Sequence, residues 1–384
     1  MVPASAGPSH CATRQKALKR SGNGTAVRLG ILTGGGDAPG LNAAIRAVVM
    51  RATTQGDTVV GFRDGWAGLI GEGLARVVRI EDVHGIVGLG GTILGTSRTD
   101  PRKEDRTRAE VLANLRRYDI DALIPMGGND TLSVASWLHE AGVRVVGIPK
   151  TVDNDIAETD HCIGFDTAVS VVMDALDRLR TTASAHHRVM VVEVMGRDTG
   201  WVAAIGGLAG GADLILMPEL RLTLEEIGRA LERRHARGQT DTIVVVAEGV
   251  DFPDLQGVRE ASTTDAFGHV RLDQRGIGDA LARSIEQRTG YETRAVVLGH
   301  LQRGGSPTAT DRLWATRFGD AAVDLVHEGK SGVLPVARGD GVAVVPLRDA
   351  VATVRGVPQD IVELVRRLAG TGVPEIPLRV ANRA

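Results

Sequence analysis

Cysteine, aromatic residues and net charge are all scarce in this chain of 384 residues. It contains 2 cysteines, 3% aromatic residues, and 45 basic against 47 acidic side chains, for a formal charge of −2. The two cysteines, Cys11 and Cys162, can build neither a disulfide framework nor a cysteine zinc site, so we expect a reducing compartment, the cytoplasm. The balanced charge and the few aromatic residues argue against a nucleic-acid partner, which would need a basic face or stacking side chains.

Long apolar runs are missing as well. No segment approaches the run of about 18 apolar residues that a membrane-spanning helix requires, so we expect no membrane partner. Residues 1–25 have no helical or strand periodicity and lack the apolar run of a signal peptide. We interpret them as a disordered tail, and a targeting or partner-binding arm is the alternative.

The rest of the chain has the pattern of an α/β fold. Its length and its 43% apolar fraction predict about two domains, each with its own core. From residue 26, short β-branched runs alternate with amphipathic stretches of helix length, which is typical of a mostly parallel sheet covered by helices. The predicted strands are 27–33, 58–62, 122–126, 143–148, 189–194, 214–217, 242–247 and 295–300. The predicted helices are 41–55, 131–141, 166–183, 199–210, 224–237, 276–289, 314–328 and 360–369. Thr223 and Glu226 form a predicted capping box, and 252–272 is interpreted as an irregular insertion.

Glycine, in contrast, is abundant: 49 of the 384 residues, about 13% where about 7% is usual. Many of the glycines directly follow a predicted strand: Gly34-Gly35-Gly36, Gly127-Gly128, Gly196, Gly249 and Gly304-Gly305. Ligands of open α/β sheets bind at the carboxyl ends of the strands. Glycine there lets the backbone come close to a ligand and direct N–H groups at an anion. The glycine turns therefore predict one extended phosphate-binding site.

Two standard glycine motifs are not present in the sequence. Gly329-Lys330-Ser331 follows a helix and has Asp324 where a Walker A loop requires its first glycine. The turn 34–40 has Pro39 in the third glycine position of the dinucleotide-binding motif. A P-loop and NAD chemistry are therefore disfavoured.

A lysine and two carboxylates follow the predicted strand that ends at residue 148. The segment 149–155 contains Lys150, Thr151, Asp153 and Asp155. Four arginines are predicted at or near strand ends on the rim of the same crevice: Arg188, Arg197, Arg294 and Arg303. Phosphoryl transfer needs a carboxylate base and cations on the phosphates, and guanidinium groups bind phosphate in a bidentate way. The pattern favours phosphoryl transfer, although the acidic segment alone is also compatible with a solvated loop.

Five segments resemble the phosphofructokinase family, in the family's order along the chain. They are 35–46 (GGDAPGLNAAIR), 90–92 (GGT), 149–155 (PKTVDND), 194–197 (VMGR) and 299–307 (GHLQRGGSP). The resemblance implies two similar Rossmann-like α/β domains with the active site in the cleft between them, assembled as a homodimer or homotetramer. It implies a phosphoryl-donor domain of 26–163 plus about 302–352, and a sugar-phosphate domain of 164–301 plus about 353–384.

The same resemblance implies roles for individual residues. Asp153 would accept the proton of the sugar 1-hydroxyl, Gly36 would lie against the phosphoryl donor, and Arg98 would bridge to the transferred group. Together with Asp153, the residues that would hold fructose 6-phosphate are Thr151, Met195, Gly196, Arg197, Glu248, His300 and Arg303. In the family, the positions of Arg188 and Arg294 often reach across from a neighbouring subunit.

Two residues resemble the family members that use diphosphate rather than ATP. ATP-dependent members have glycine where this chain has Asp130, whose carboxylate would occupy the space of the ATP α-phosphate and repel its charge. Lys150 can neutralise the phosphate that leaves from diphosphate. The resemblance thus implies a reversible, diphosphate-dependent 6-phosphofructokinase of glycolysis or gluconeogenesis. An ATP-dependent enzyme, with Asp130 accommodated by a shifted loop, is the alternative.

Asn129 departs from the family pattern, which usually has an acid there that helps to bind Mg²⁺. Asparagine offers the cation a neutral oxygen but no charge. We expect a tolerated variant in an Mg²⁺-dependent enzyme, and a weakly active sugar-phosphate-binding homologue is the second alternative.

The basic residues of the family's effector site are largely replaced in this chain. Arg46 remains, but Met50, Leu89 and 239–241 stand at other basic positions. We therefore expect no control by nucleoside diphosphates or phosphoenolpyruvate through that site.

Overall fold

The computed structural model describes residues 26–256, 258, 264, 267–268 and 275–370. The predicted tail 1–25, residues 371–384 and much of the predicted insertion 252–272 lie outside the described residues. The strands are β1 (Arg28–Thr33), β2 (Thr58–Phe62), β3 (Ala75–Val78), β4 (Ala122–Gly127), β5 (Ile148–Pro149), β6 (Val189–Val194), β7 (Leu214–Leu216), β8 (Thr242–Ala247), β9 (Thr293–Val297), β10 (Val333–Arg338) and β11 (Gly341–Pro346). The helices are α1 (Leu41–Gln55), α2 (Ile80–Val83), α3 (Asp105–Arg117), α4 (Asn129–Glu140), α5 (Phe165–His186), α6 (Trp201–Ala209), α7 (Leu224–Ala236), α8 (Ile277–Thr289), α9 (Ala309–His327), α10 (Leu347–Ala350) and α11 (Gln359–Ala369).

Two sheets form the frame of an α/β fold. The first sheet has the order β3-β2-β1-β4-β5, with β1, β2, β4 and β5 parallel and β3 antiparallel at the edge. The second sheet has the order β7-β8-β6-β9 and is entirely parallel. The antiparallel hairpin β10–β11 joins the first sheet through a bridge between Val146 and Val333. In both sheets the parallel strands bring their carboxyl ends, and the turns that follow, to one edge.

Helices cover both sheets because the inner strands are apolar on both faces. β6 and β8 are buried at every residue. In β1 the alternation of side chains places Leu29 and Ile31 in one apolar cluster and Leu32 in another. α1 and α9 pack closely, since a Cβ on Gly319 would lie only 2.7 Å from Ala47 Cβ. None of the described helices is long and apolar enough to cross a bilayer.

The predicted α/β pattern is confirmed. The bounds of single strands differ from the prediction where contacts between distant parts of the chain determine the backbone conformation. The predicted strand 143–148 is reduced to single bridges and the two-residue β5, because Gly147 N–H donates to Val333 O at 2.9 Å rather than to β4. The predicted strand 295–300 ends at Val297, because residues 299–303 form a 3₁₀ turn. The capping box of Thr223 and Glu226 is confirmed.

Several elements had not been predicted: β3, α3 and the hairpin β10–β11. α3 is strongly polar, and its buried residues are Val111, Asn114 and Leu115, which is too narrow an apolar stripe to recognise in sequence. α9 begins at Ala309 rather than at 314, because the Thr308 side chain caps it by accepting the N–H of Asp311.

Asp311 ties the start of α9 to the start of α5. Its carboxylate is fully buried and accepts hydrogen bonds from Gly164 N–H, Thr167 N–H and the Thr167 hydroxyl, at 2.8, 2.8 and 2.6 Å. His161 Nε2 lies 3.1 Å from the same carboxylate. Since residue 164 closely follows the segment 149–155, this network fixes the far end of that segment.

We expect Asp311→Ala to lower the free energy of unfolding by about 3–5 kcal/mol, because it leaves buried donors without an acceptor. Chemical denaturation measures the change. Asp320→Ala on the same helix, where the side chain is 59% exposed, is the matched control and should stay within about 0.5 kcal/mol. A loss for Asp311→Ala no larger than that of the control would contradict the assignment.

Candidate active site

The glycine turn after β1 meets the segment after β5 at the carboxyl edge of the first sheet. Lys150 Nζ donates to the carbonyl oxygens of Gly34, at 3.1 Å, and Gly36. Gly35 has a φ of +77°, which residues with side chains rarely adopt, and a Cβ on Gly34 would lie 2.6 Å from Thr131 Oγ1. The turn therefore requires glycine, and Lys150 holds two of its carbonyl groups.

Two neighbouring pockets open beside this turn. The first pocket is lined by predicted site residues of the first sheet: Gly36, Asn129, Asp130, Lys150 and Thr151. The second pocket is lined by predicted residues of the second sheet: Met195, Glu248 and His300. Four side chains line both pockets: Arg98, Asp153, Arg197 and Arg303. A molecule in each pocket would thus meet the same carboxylate and the same guanidinium groups, which is the arrangement that a group transfer between them needs.

The ammonium of Lys150 is buried, with 2% of the residue exposed. Burial lowers the pKa of Lys150 to about 7; the charge of Arg303 adds to the shift, while Asp37 and Asp153 oppose it. An anion bound beside Lys150 would raise this pKa again, because it stabilises the charged form. Lys150 is therefore suited to gain its proton as an anion binds.

Asn129 and Asp155 are hydrogen-bonded to each other in the lining of the first pocket, and we call this pair the acidic corner because of the Asp155 carboxylate. Asn129 Nδ2 donates to Asp155 Oδ2 at 3.1 Å, and Asn129 Oδ1 is buried without a hydrogen-bond partner among the described residues. Burial and the charge of Asp153 raise the pKa of Asp155 well above its usual range. Oxygen donors of this kind suit a hard divalent cation. Among the residues that the structure describes, no group of three His, Cys, Asp or Glu side chains is arranged as a metal site, so a cation here would need further oxygens from a ligand or water.

Asp130 lies in the first turn of α4, directly after the Gly128 cap and Asn129. The amino end of a helix attracts anions through its N–H groups and its dipole. The Asp130 carboxylate places a negative charge at that end and lines the first pocket. An anion that enters the first pocket would therefore meet this negative charge.

Arg303 stands between the two pockets because Gly36 leaves room for it. Arg303 Nη1 donates to Asp37 O at 3.0 Å, and a Cβ on Gly36 would lie 2.6 Å from the same nitrogen. Arg303 Nε is buried and has no hydrogen-bond partner among the described residues. The guanidinium thus retains donor capacity for a ligand.

Carboxylates form one wall of the second pocket. Glu248 follows β8, and Met195 and Gly196 follow the neighbouring parallel strand β6. Gly196 has a φ of +143°, and its carbonyl accepts the N–H of Gly249 at 2.9 Å, which joins the two turns. Burial, with the charges of Asp153 and Glu193, raises the pKa of Glu248 to about 7.

The structure does not bring Arg188 and Arg294 to this crevice, so the prediction of four arginines on one rim is wrong for the described chain. Arg188 precedes β6, Arg294 is near the start of the parallel strand β9, and both contact Glu292, at 2.7 and 2.6 Å. They therefore lie at the amino ends of the strands. A strand of six residues is about 20 Å long, so the two arginines are about that far from the carboxyl edge of the sheet. The prediction had not distinguished the two ends of a strand.

Three residues of the site had not been singled out in the sequence: Glu193, Asp198 and Arg355. Glu193 had a recognisable signal, since it is the acid inside the otherwise apolar run 189–194. Asp198 lines the first pocket. Its signal in the sequence was its position directly after Arg197, the last residue of the segment 194–197. Arg355 had no local signal.

Arg355 connects the acidic segment to α6. Its N–H donates to Asp155 O at 2.7 Å, and its guanidinium lies over the Trp201 ring, 4.3 Å from the centroid. Trp201 Nε1 donates in return to Arg355 O at 3.0 Å, and Arg355 Nη1 lies 3.3 Å from Asn154 O. Arg355 thus fixes the segment that carries Asp153 against the helices of the second sheet.

The chain is similar to several known proteins over most of its length. The family model described as Phosphofructokinase matches residues 28–326. The chain is 50% identical over 315 residues to a protein named pyrophosphate–fructose 6-phosphate 1-phosphotransferase from Dictyoglomus thermophilum, covering 82% of this chain and 90% of that one. It is 49% identical over 339 residues to a protein named ATP-dependent 6-phosphofructokinase 2 from Streptomyces coelicolor, covering 87% and 97%. A solved pyrophosphate-dependent phosphofructokinase from Nitrosospira multiformis shares the fold, with a TM-score of 0.75, 23% identity and 87% of each chain covered.

We expect Arg355→Met to raise amide hydrogen exchange in residues 153–160 about tenfold, because the contacts with Asn154 and Trp201 are lost. Hydrogen-exchange mass spectrometry measures this, with α1 as the internal reference. Arg348→Met, at a side chain that is 80% exposed, is the matched control. Equal exchange in the two variants would show that Arg355 does not hold the segment.

Proposed function

The chain belongs to the phosphofructokinase family, and we propose that it transfers a phosphoryl group from diphosphate to the 1-hydroxyl of fructose 6-phosphate. The products are fructose 1,6-bisphosphate and phosphate, and the reaction is reversible. The observation that carries the choice of donor is that the Asp130 carboxylate and the buried Lys150 ammonium line the same pocket.

The composition of the first pocket supports diphosphate as the donor. Among its described lining residues other than glycine, Val354 alone has an apolar side chain, and none is aromatic. ATP would bring an adenine that needs apolar or stacking surface, and an α-phosphate that the Asp130 carboxylate repels. Diphosphate has neither group, so it fits the pocket better.

Asp153 is the proposed base, because it is the carboxylate that lines both pockets. It accepts the proton of the sugar 1-hydroxyl while the hydroxyl oxygen forms its bond to the nearer phosphorus, and the bond from that phosphorus to the leaving phosphate breaks. Arg98 and Arg303, which also line both pockets, stabilise the charge on the transferred group. Thr151 Oγ1 accepts the N–H of Asp153 at 3.2 Å and holds the base in place.

Lys150 neutralises the leaving phosphate. In the free protein its pKa of about 7 leaves it partly uncharged, and the binding of diphosphate draws a proton onto it. The resulting ammonium lies between the carbonyl groups of Gly34 and Gly36, so its position is set before the substrate arrives.

Mg²⁺ is the proposed cofactor, and the acidic corner fits it. The unpartnered Oδ1 of Asn129 and the carboxylate of Asp155 are oxygen donors that suit this ion. When bound, Mg²⁺ would neutralise charge on the diphosphate oxygens. Because Asn129 contributes no charge, diphosphate and water would complete the coordination.

The second pocket is proposed to hold the sugar phosphate. Arg197, Arg303 and His300 line this pocket and provide donors for the 6-phosphate, and Met195 and Glu248 line the space for the sugar. Thr151 lines the first pocket and is proposed to reach the sugar from there, beside Asp153, while Gly196 is proposed to reach it from the turn after β6. Arg188 and Arg294 are proposed to complete the pocket of a neighbouring subunit. The 51% exposure of the Arg294 side chain is compatible with a homodimer or homotetramer.

The domain division and the absence of allosteric control remain proposals. The two sheets and their separate apolar clusters support a donor domain of 26–163 plus about 302–352 and a sugar-phosphate domain of 164–301 plus about 353–384. Met50 and Leu89, which are 39% and 54% exposed, present apolar surface where allosteric relatives have basic residues. A phosphate-bearing effector would find fewer positive charges there than in those relatives.

ATP is the second candidate donor, favoured by the 49% identity to the Streptomyces protein that is named for it. A weakly active sugar-phosphate-binding homologue is the third candidate, and it rests on Asn129 alone.

Initial rates with diphosphate and with ATP, at saturating fructose 6-phosphate and Mg²⁺, test the proposal. We expect kcat/KM to be at least about 100-fold higher with diphosphate, and Asp130→Gly to raise the value for ATP about tenfold or more. Asp119→Gly makes the same change at an exposed residue outside both pockets, with a φ of 51°, and should alter neither value.

Higher activity of the wild type with ATP would overturn the choice of donor. A donor preference that is unchanged in Asp130→Gly would remove Asp130 as its cause. No turnover with either donor would favour the sugar-phosphate-binding homologue.

A further inference from the structure

Glu193 is a carboxylate inside a strand that is otherwise entirely apolar. All six residues of β6 are buried, and Glu193 is only 5% exposed. A charged group at such a position is costly unless it is paired or meets a polar ligand. The second pocket provides the reason for its presence, because Glu193 lines it.

The register of the second sheet places Glu193 on the floor of that pocket. Glu193 is opposite Val246 on β8 and Val297 on β9. Side chains two residues apart along a strand point to the same face, so Met195 and Glu248, two residues beyond Glu193 and Val246, share its face. Met195, Glu248 and Val297 all line the second pocket with it.

One oxygen of Glu193 is occupied and the other is available. Oε2 accepts the N–H of Gly278, in the first turn of α8, at 2.7 Å. Among the described residues, no hydrogen bond reaches Oε1. A Cβ on Gly278 would lie 3.0 Å from Glu193 Oε2, so glycine at this position permits the contact. The carboxyl group is thus held by one oxygen, and its other oxygen has no described hydrogen-bond partner beside the pocket that Glu193 lines.

The described lining of the second pocket carries charges of both signs, and this decides what Oε1 can contact. Three carboxylates and three guanidinium groups line it: Asp153, Glu193, Glu248, Arg98, Arg197 and Arg303. A phosphate is repelled by the carboxylates and attracted by the guanidinium groups, whereas a hydroxyl donates readily to a carboxylate. A sugar phosphate therefore meets acceptors for its hydroxyl groups and donors for its phosphate in the same pocket.

We infer that Glu193 Oε1 accepts a hydrogen bond from a hydroxyl of the sugar phosphate in the second pocket, and so selects acceptors that have a hydroxyl at that place. The inference rests on the proposed function, since it requires a sugar phosphate as the acceptor. It adds to Asp153 and Glu248 a third substrate-contacting carboxylate, which comes from a strand rather than from a strand-end turn.

Glu193→Gln tests the inference with little change in shape. The Gly278 N–H requires an oxygen at the Oε2 position, so the amide NH₂ of glutamine would face the pocket, where it cannot accept a hydrogen bond. We expect the Kd for fructose 6-phosphate, measured by calorimetry without a donor, to rise about tenfold. The Kd for inorganic phosphate at the guanidinium groups should not rise, because the variant removes a carboxylate that repels phosphate, and the thermal unfolding midpoint should not change. Glu232→Gln, at an exposed residue of α7, is the matched control.

An unchanged Kd for fructose 6-phosphate in folded Glu193→Gln would overturn the inference and leave the proposed function intact. A wild-type protein that does not bind fructose 6-phosphate would instead refute the proposed function. An equal loss of affinity for phosphate and for the sugar phosphate would show a general disturbance of the pocket and also count against a hydroxyl contact. If Glu193→Gln does not fold, Gly278→Ala, whose methyl group would crowd Glu193, is expected to weaken fructose 6-phosphate binding in the same selective way.

Discussion

The buried ammonium of Lys150 is the interaction on which the rest of the site depends. Its side chain holds the carbonyl groups of Gly34 and Gly36, and its backbone N–H donates to Gly127 O at 3.0 Å, so one residue joins the turns after β1, β4 and β5. Glycine is required in the turn after β1 because a Cβ on Gly34 would lie 2.6 Å from Thr131 Oγ1 and a Cβ on Gly36 would lie 2.6 Å from Arg303 Nη1. Burial makes the charge of Lys150 depend on an anion being present, which links the structure of the turn to the binding of phosphate.

Charged groups of both signs line the two pockets. Glu193 projects from β6 and Glu248 follows β8, while Asp153 lines both pockets together with Arg98, Arg197 and Arg303. Burial and mutual repulsion raise the pKa of Asp155 and of Glu248. A cation or a hydroxyl donor stabilises the carboxylates and a phosphate is attracted to the guanidinium groups, so the site is complementary to the substrates as a set rather than to one of them alone. Asp153, which lines both pockets, is where the two halves of the reaction meet.

Much of this site could be predicted from the sequence because its residues lie in local motifs at the carboxyl ends of strands. Gly36, Lys150, Asp153 and Arg197 needed only the alternation of strands and turns to be placed together. Arg188 and Arg294 were misplaced because the prediction did not distinguish the amino end of a strand, where both lie, from the carboxyl end, where the ligand binds. Arg355 could not be predicted, since its contacts with Asp155 and Trp201 join residues far apart in the chain. The irregular pairing around β5 depends on the distant β10 hairpin, which no local pattern reveals.

The central claim is that diphosphate binding restores the proton on a buried, partly neutral Lys150. Lysine is rare in this chain (Lys16, Lys19, Lys103, Lys150 and Lys330), so selective ¹³C labelling and NMR titration can follow each ammonium, with Lys150→Arg to assign the signal. The account predicts that Lys150 titrates with a pKa of about 7 in the free protein and above about 9 with diphosphate bound. A pKa near the ordinary lysine value of about 10.4 in both states would contradict it.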